Sequence, residues 1–109
     1  MLLPATREWL ARAPLERRKR FGQFFTPEPV RAALLDGLHL PPRATILDPA
    51  CGTGEFLHEA AKRWPDARLV GWEIDAELAA IARDQVPRAE IRRVDALREK
   101  ASPSFDAVI

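Results

Sequence analysis

Three acidic residues and one pair of glycines are the parts of this sequence best suited to chemistry. Asp48 closes the apolar run Ala44–Asp48 and leads into Pro49-Ala50-Cys51-Gly52-Thr53-Gly54. Gly52 and Gly54 tolerate left-handed backbone and carry no Cβ, so the main chain can approach a ligand closely. A helix expected to start near Gly54 offers unpaired N–H groups at the same place. Glu73 comes about 20 residues beyond the turn, the spacing at which an acid accepts hydrogen bonds from ribose hydroxyls. Asp95 closes a third apolar run, Ile91–Val94. Such a set points to a small ligand that contains a nucleoside. NAD fits poorly. Its GxGxxG turn needs a third small residue where this chain has Leu57, and the Asp48 carboxylate would repel a pyrophosphate. A cationic or amino-bearing ligand suits Asp48 better. Cys51 has no adjacent base and reads as a small buried filler.

Other segments must hold these residues in place. Thr6 is suited to cap a helix through about Ala13, which Pro14 breaks. A basic turn follows, Glu16-Arg17-Arg18-Lys19-Arg20, and then the aromatic stretch Phe21-Gly22-Gln23-Phe24-Phe25. Thr26 at the N-cap, Pro27 at the first helical position and Glu28 in the first turn predict a helix that Gly37 ends. Beyond Pro41-Pro42, a strand is predicted over 44–48 and a helix over 54–64, with Phe56, Leu57, Ala60, Ala61 and Trp64 on its apolar face. A second strand spans 68–74. Asp75 caps a helix that buries Leu78, Ile81, Ala82 and either Gln85 or Val86. Strands over 91–94 and over Phe105–Ile109 complete the pattern. Strands alternating with helices of this length mean an α/β fold with a parallel sheet. Asp48, Glu73 and Asp95 would then lie side by side on its carboxyl edge.

The bulk properties agree with a single small globular domain. The chain has 109 residues, 47% hydrophobic and 30% charged, with a formal net charge of +1 and a single cysteine. A disulfide framework and a metal cluster are both excluded by that cysteine count. No apolar run has the length of a signal peptide core or a membrane span, so a cytoplasmic location without membrane contact is expected. The last residues, Phe105-Asp106-Ala107-Val108-Ile109, have the look of a buried strand rather than a polar tail, so the chain is expected to be a fragment.

ILDPACGTGEFL resembles the cofactor motif of S-adenosylmethionine-dependent methyltransferases, in the form found in enzymes that methylate amino groups of DNA. VGWEID and VDAL resemble the second and third motifs, and FGQFFTP resembles the extra motif that gamma-type adenine-N6 DNA methyltransferases place before the first strand. Along the chain they run FGQFFTP, ILDPACGTGEFL, VGWEID and VDAL, and the resemblance covers about residues 17–109. The resemblance implies a Rossmann-like class I methyltransferase fold. Residues 1–43 would form a helical segment bearing the first motif, and 44–109 the first half of the cofactor domain. S-adenosyl-L-methionine would be the cofactor. Phe25, Thr26 and Pro27 would contact its methionine end, and Asp48, Ala50, Gly52 and Gly54 would form the floor beneath it. Glu73 would bind the ribose hydroxyls with Ile74 near the adenine, and Asp95 would accept from the adenine amine with Ala96 or Leu97 against the ring. Double-stranded DNA would be the partner of the full-length protein, with a fused or separate nuclease in restriction–modification systems. These families carry a catalytic Asn/Asp-Pro-Pro-Tyr/Phe loop just after the fourth strand. Residues 1–109 contain no such run, and the loop would lie beyond Ile109. No catalytic residue is therefore expected within this segment, which should hold cofactor without turnover. Two alternatives stay open: a related methyltransferase acting on RNA or protein, and a non-catalytic cofactor-binding or interaction module.

Overall fold

The computed structural model describes residues 2–99 and 105–109. Three helices come first: α1 (Pro4–Arg12), α2 (Leu15–Phe24) and α3 (Glu28–Asp36). Then follow β1 (Thr45–Asp48), α4 (Glu55–Arg63), β2 (Arg68–Trp72), α5 (Ala76–Gln85), β3 (Glu90–Arg92) and β4 (Ala107–Val108). The strands form one sheet in the order β3-β2-β1-β4, every neighbouring pair parallel. The chain steps outward from β1 through β2 to β3, then returns to the far side of β1 as β4. That reversal leaves a crevice at the carboxyl end of β1, where open α/β sheets take their ligands.

Alternation along the strands separates two apolar faces. Ile46, Leu69 and Ile91 join Leu57 and Ala60 of α4, Ala79 and Ala82 of α5 and Val86 just after it in the larger cluster, with Ile109 packed against it. Leu47, Val70 and Trp72 form the smaller one, with Val94 and Phe105 against it. Gly71 marks where helix and sheet come closest. A Cβ there would lie 2.7 Å from Leu57 Cδ1 and 2.8 Å from Ile91 Cδ1, so any other residue would force those side chains to move.

Several local expectations are corrected. Thr6 does not cap α1: the helix starts at Pro4, and Thr6 lies inside it, fully buried. Thr26 is not the cap of α3 either; Pro27 takes that position with no side-chain bond, and the helix begins at Glu28. The buried line of α5 is Ala79 and Ala82, continued by Val86, while Leu78 and Ile81 flank it half-buried. Small side chains let the helix approach the sheet, and the larger ones spread to its sides. In α4 the buried line is Glu55, Leu57 and Ala60, with Phe56 and Ala61 only partly covered. Each strand after β1 is shorter than its apolar run. The last strand, expected over Phe105–Ile109, is confined to Ala107–Val108, so Phe105 and Ile109 fall outside it. Pairing with β1 sets that length: Ala107 and Val108 match Ile46 and Leu47, and Ile109 adds one bond from its N–H to the Leu47 carbonyl (2.9 Å) before β1 ends at Asp48. Among the described residues no helix is long and apolar enough to cross a membrane.

Candidate functional site

Gly52 and Gly54 have φ values of +55° and +96°, the positive-φ positions among the described residues. Gly54 caps α4 from the left-handed region, and a Cβ on it would lie 2.9 Å from Val86 Cγ2. The turn is pinned to the neighbouring strand: Cys51 N–H donates to the Trp72 carbonyl (2.9 Å), and Gly54 N–H donates to the Cys51 carbonyl (2.9 Å). Burial, followed by the charges of Asp48 and Glu73, pushes the Cys51 thiol up, so it stays protonated and inert.

Asp48 is 5% exposed and its Oδ1 accepts from Ala50 N–H (3.2 Å). Burial raises its pKa to about 7; the Ala50 bond pulls it down, and the nearby charge of Glu73 pushes it further up. Glu73 lies just past β2. Its Oε1 accepts from Gly52 N–H (2.9 Å) and its Oε2 from Asp75 N–H (2.9 Å), so the carboxylate is fixed against the glycine turn. Each oxygen keeps acceptor capacity for a ligand hydroxyl. Neither Asp48 nor Glu73 is in an ion pair among the described residues.

The expectation that three acids sit side by side holds for Asp48 and Glu73 but not for Asp95. Asp48 is level with Gly71, and Gly71 with Ile91. Glu73 therefore sits two residues past that level and Asp95 four. Asp95 caps its own turn, accepting from Leu97 N–H (3.0 Å) at Oδ1 and holding Arg98 at 3.6 Å. Beside these acids lie apolar groups in water: Ile74 is 55% and Leu97 96% exposed, and Ala96 is exposed too. Asp75 caps α5 as expected, accepting from Glu77 and Leu78 N–H groups (3.0 Å each).

Of the segment Phe25-Thr26-Pro27, Phe25 is tied to the glycine turn indirectly, through Phe21. Phe25 stacks on Phe21 at 5.2 Å between centroids, and Phe21 packs against Trp9 at 5.5 Å. Phe21 lies over the turn, 3.8 Å from where a Gly52 Cβ would be. Its i, i+4 spacing to Phe25 is the sequence signal for this role. Arg17, from the basic run, is used internally: it ion-pairs with Asp75 and Glu77 and lies over the Trp9 ring at 5.4 Å.

A polar network escapes sequence reasoning altogether. Gln85 Oε1 accepts from Ala5 N–H (3.0 Å) and Thr6 N–H (3.4 Å), while its Nε2 donates to the Thr53 carbonyl (2.8 Å) and Thr6 Oγ1 (3.0 Å). Buried Glu55 accepts from Leu3 N–H (3.2 Å) and from the hydroxyls of Thr6 (3.1 Å) and Thr53 (2.6 Å). One set of bonds thus caps α1 and braces the glycine turn. The bonds that tie α1 to α4 and α5 join residues 49 to 80 positions apart, too far for any local pattern.

Two neighbouring carboxylates without a cation, beside a turn with close-approach glycines, favour a positively charged ligand with hydroxyls. Comparisons with known proteins bear on which one. Residues 46–109 match a family model described as a methyltransferase domain. The chain is 34% identical to the Type II methyltransferase M.CvrRI of Paramecium bursaria Chlorella virus XZ-6E, over 94% of this chain and 27% of that protein. It is 38% identical to trans-aconitate 2-methyltransferase of Azoarcus sp. (strain BH72), over 65% of this chain and 29% of that one. The chain thus spans less than a third of either curated relative. A solved RNA methyltransferase from Salinibacter ruber, in complex with S-adenosyl-L-homocysteine, superposes with a TM-score of 0.67 at 28% identity, over 77% of this chain and 57% of that one.

Proposed function

This chain belongs to the methyltransferase-domain family, and from that premise we propose that it is the cofactor-holding part of a DNA methyltransferase acting on adenine N6. S-adenosylmethionine is the cofactor. The residues fit it. Its sulfonium and ammonium charges suit the unpaired Asp48 and Glu73, and its ribose suits a carboxylate already fixed at the end of β2. When bound, it supplies an activated methyl group. The chain's own residues bind and orient. Asp48, Ala50, Gly52 and Gly54 form the floor, Phe25, Thr26 and Pro27 take the methionine end, and Glu73 takes the ribose. Ile74, Asp95 and Ala96 serve the adenine.

The observation that supports the DNA reading is the FGQFFTP segment ahead of β1, whose Phe21 lies beside the glycine turn and stacks on Phe25. That motif order is the gamma-type arrangement. Similarity to a type II methyltransferase runs over 94% of the chain, including this segment. Residues 1–43 would be a helical platform and 44–109 the first half of the catalytic domain, in a cytoplasmic protein that acts on double-stranded DNA, with a nuclease fused or in partnership. No Asn/Asp-Pro-Pro-Tyr/Phe run occurs in 1–109. The target amine would be held by a loop beyond Ile109, and this segment alone would have no turnover. The test is transfer of labelled methyl groups from S-adenosylmethionine to DNA, RNA and small carboxylic acids by the full-length protein. N6-methyladenine in DNA is the expected product. Label in RNA instead would favour the second reading, an RNA methyltransferase, to which the Salinibacter likeness lends support.

A further inference from the structure

Arg31 is a charged side chain with an incomplete environment. It is 5% exposed, and its Nε is buried with no hydrogen-bond partner. One terminal nitrogen donates to the Thr26 carbonyl (2.9 Å), and the guanidinium lies over the Phe25 ring at 5.5 Å. Among the described residues its other terminal nitrogen makes no hydrogen bond, and no ion pair includes it. A ring face and one carbonyl do not neutralise it. A buried guanidinium without a counter-charge is costly unless an anion meets it.

The side chain lines a cavity of about 330 Å³ among the first turns of α1, α3 and α4, and no residue assigned to the cofactor borders it. Cations reach it from all three helices: Arg7 from α1, Arg31 from α3, and Lys62 from α4, with His58 one turn before Lys62. The acids on its walls are committed elsewhere. Glu55 holds Leu3, Thr6 and Thr53, Glu59 lies 3.6 Å from Arg63, and Glu28 has a partner of its own. Burial, then the charge of Lys62, lowers the His58 pKa, and Arg31 adds to this against the pull of Glu55 and Glu59. Arg31, His58 and Lys62 thus share one positive field. The three helices also present their positive ends to the cavity. One guanidinium fork satisfies a carboxylate, whereas donors from three directions suit an oxyanion with more acceptors. We propose that this cavity is a ligand site separate from that of the cofactor and takes a phosphate group, with Arg31 as its buried anchor and Arg7, His58 and Lys62 around it. A small phosphorylated molecule and a nucleic-acid backbone both offer that group. The site stands on its own residues, whether or not the cofactor reading holds.

The experiment follows the His58 and His39 ring resonances by NMR as inorganic phosphate is added to the 109-residue chain, with sodium chloride at matched ionic strength as the reference. His39 is exposed beyond the far end of α3 and reports non-specific effects. Phosphate is expected to shift His58 saturably and to raise its pKa, since an anion favours the charged ring, while His39 responds as it does to chloride. Arg31→Gln is expected to weaken phosphate about 10- to 100-fold, the range of a lost charged hydrogen bond. Lys62→Gln removes an exposed charge, keeps the fold and is expected to weaken phosphate about two- to fivefold; it serves if Arg31→Gln does not fold. With phosphate bound as expected, a short DNA duplex separates the two sources. The same His58 shift assigns the site to backbone phosphates, and no shift assigns it to a small phosphorylated molecule. A His58 response to phosphate no larger than that to chloride, or matched by His39, would overturn the proposal. Unchanged phosphate affinity in a folded Arg31→Gln chain, or in Lys62→Gln, would overturn it too.

Discussion

Replacing Asp48 with asparagine isolates the consequence of burying a carboxylate at the end of β1. In the unfolded chain an aspartate titrates near its ordinary value of 3.8; in the folded chain burial and Glu73 hold it at about 7. Between those values the folded state keeps a proton that the unfolded state has released. The stability this group contributes is therefore complete below about pH 4 and falls as pH rises, by roughly 1.4 kcal/mol per unit. The fall ends once the folded group has ionised, and it totals about 4 kcal/mol by pH 8. The substituted amide has no proton to lose, has nearly the same shape and can still accept from Ala50 N–H. Urea unfolding of the Asp48→Asn variant and the unmodified chain across this range should show a gap in favour of the variant. That gap should be near zero at about pH 4 and grow to a plateau above about pH 7. Titrating groups that do not interact with Asp48 cancel in the difference. A gap that stays constant with pH would refute the buried, proton-holding state of Asp48, and a variant less stable at about pH 8 would reverse its sign.

Other perturbations test the frame around the site. Gly54→Ala should cost roughly 2–4 kcal/mol in urea unfolding, because it forces a side chain into φ +96° and sets a methyl 2.9 Å from Val86; a loss within experimental error would contradict that geometry. Gln85→Leu leaves the Thr53 carbonyl and the Ala5 and Thr6 N–H groups without partners. It should cost about 2–3 kcal/mol and speed amide exchange at Ala5 and Thr6 well before Leu69 and Val70; uniform exchange would show that α1 is not held separately.

What is legible in the sequence depends on neighbours along the chain. The glycine turn, the Asp75 cap and the alternation of strands and helices rest on residues within a few positions, and all appear where their patterns place them. What is illegible depends on distant partners. Thr6 has the chemistry of a cap, yet its hydroxyl goes to Glu55 and its N–H to Gln85, so it is drawn inside α1. The buried face of α5 is chosen by how near the sheet lies, which favours Ala79 over the more apolar Leu78. Apolar runs overstate strand length wherever the partner strand ends first. Asp95 reads as level with the other acids on that basis, but β3 stops at Arg92 and leaves its acid further out. Ile109 likewise reads as strand, but β1 gives it a single bond and no partner in register. Phe21 meets the glycine turn from a separate segment and is visible in the sequence only as part of an aromatic cluster, whereas Arg31 packs on its near neighbours Phe25 and Thr26 and stands out only once its burial is known.

Calorimetric titration of S-adenosylmethionine into the 109-residue chain, with Glu73→Ala alongside, tests the cofactor site most directly. The unmodified chain is expected to bind one equivalent, and the Glu73→Ala chain to bind more weakly by roughly 1–3 kcal/mol, the value of charged hydrogen bonds to the ribose. Equal affinity in the two chains would place the ribose elsewhere, and no binding to the unmodified chain would contradict the site at the carboxyl edge of β1 and β2.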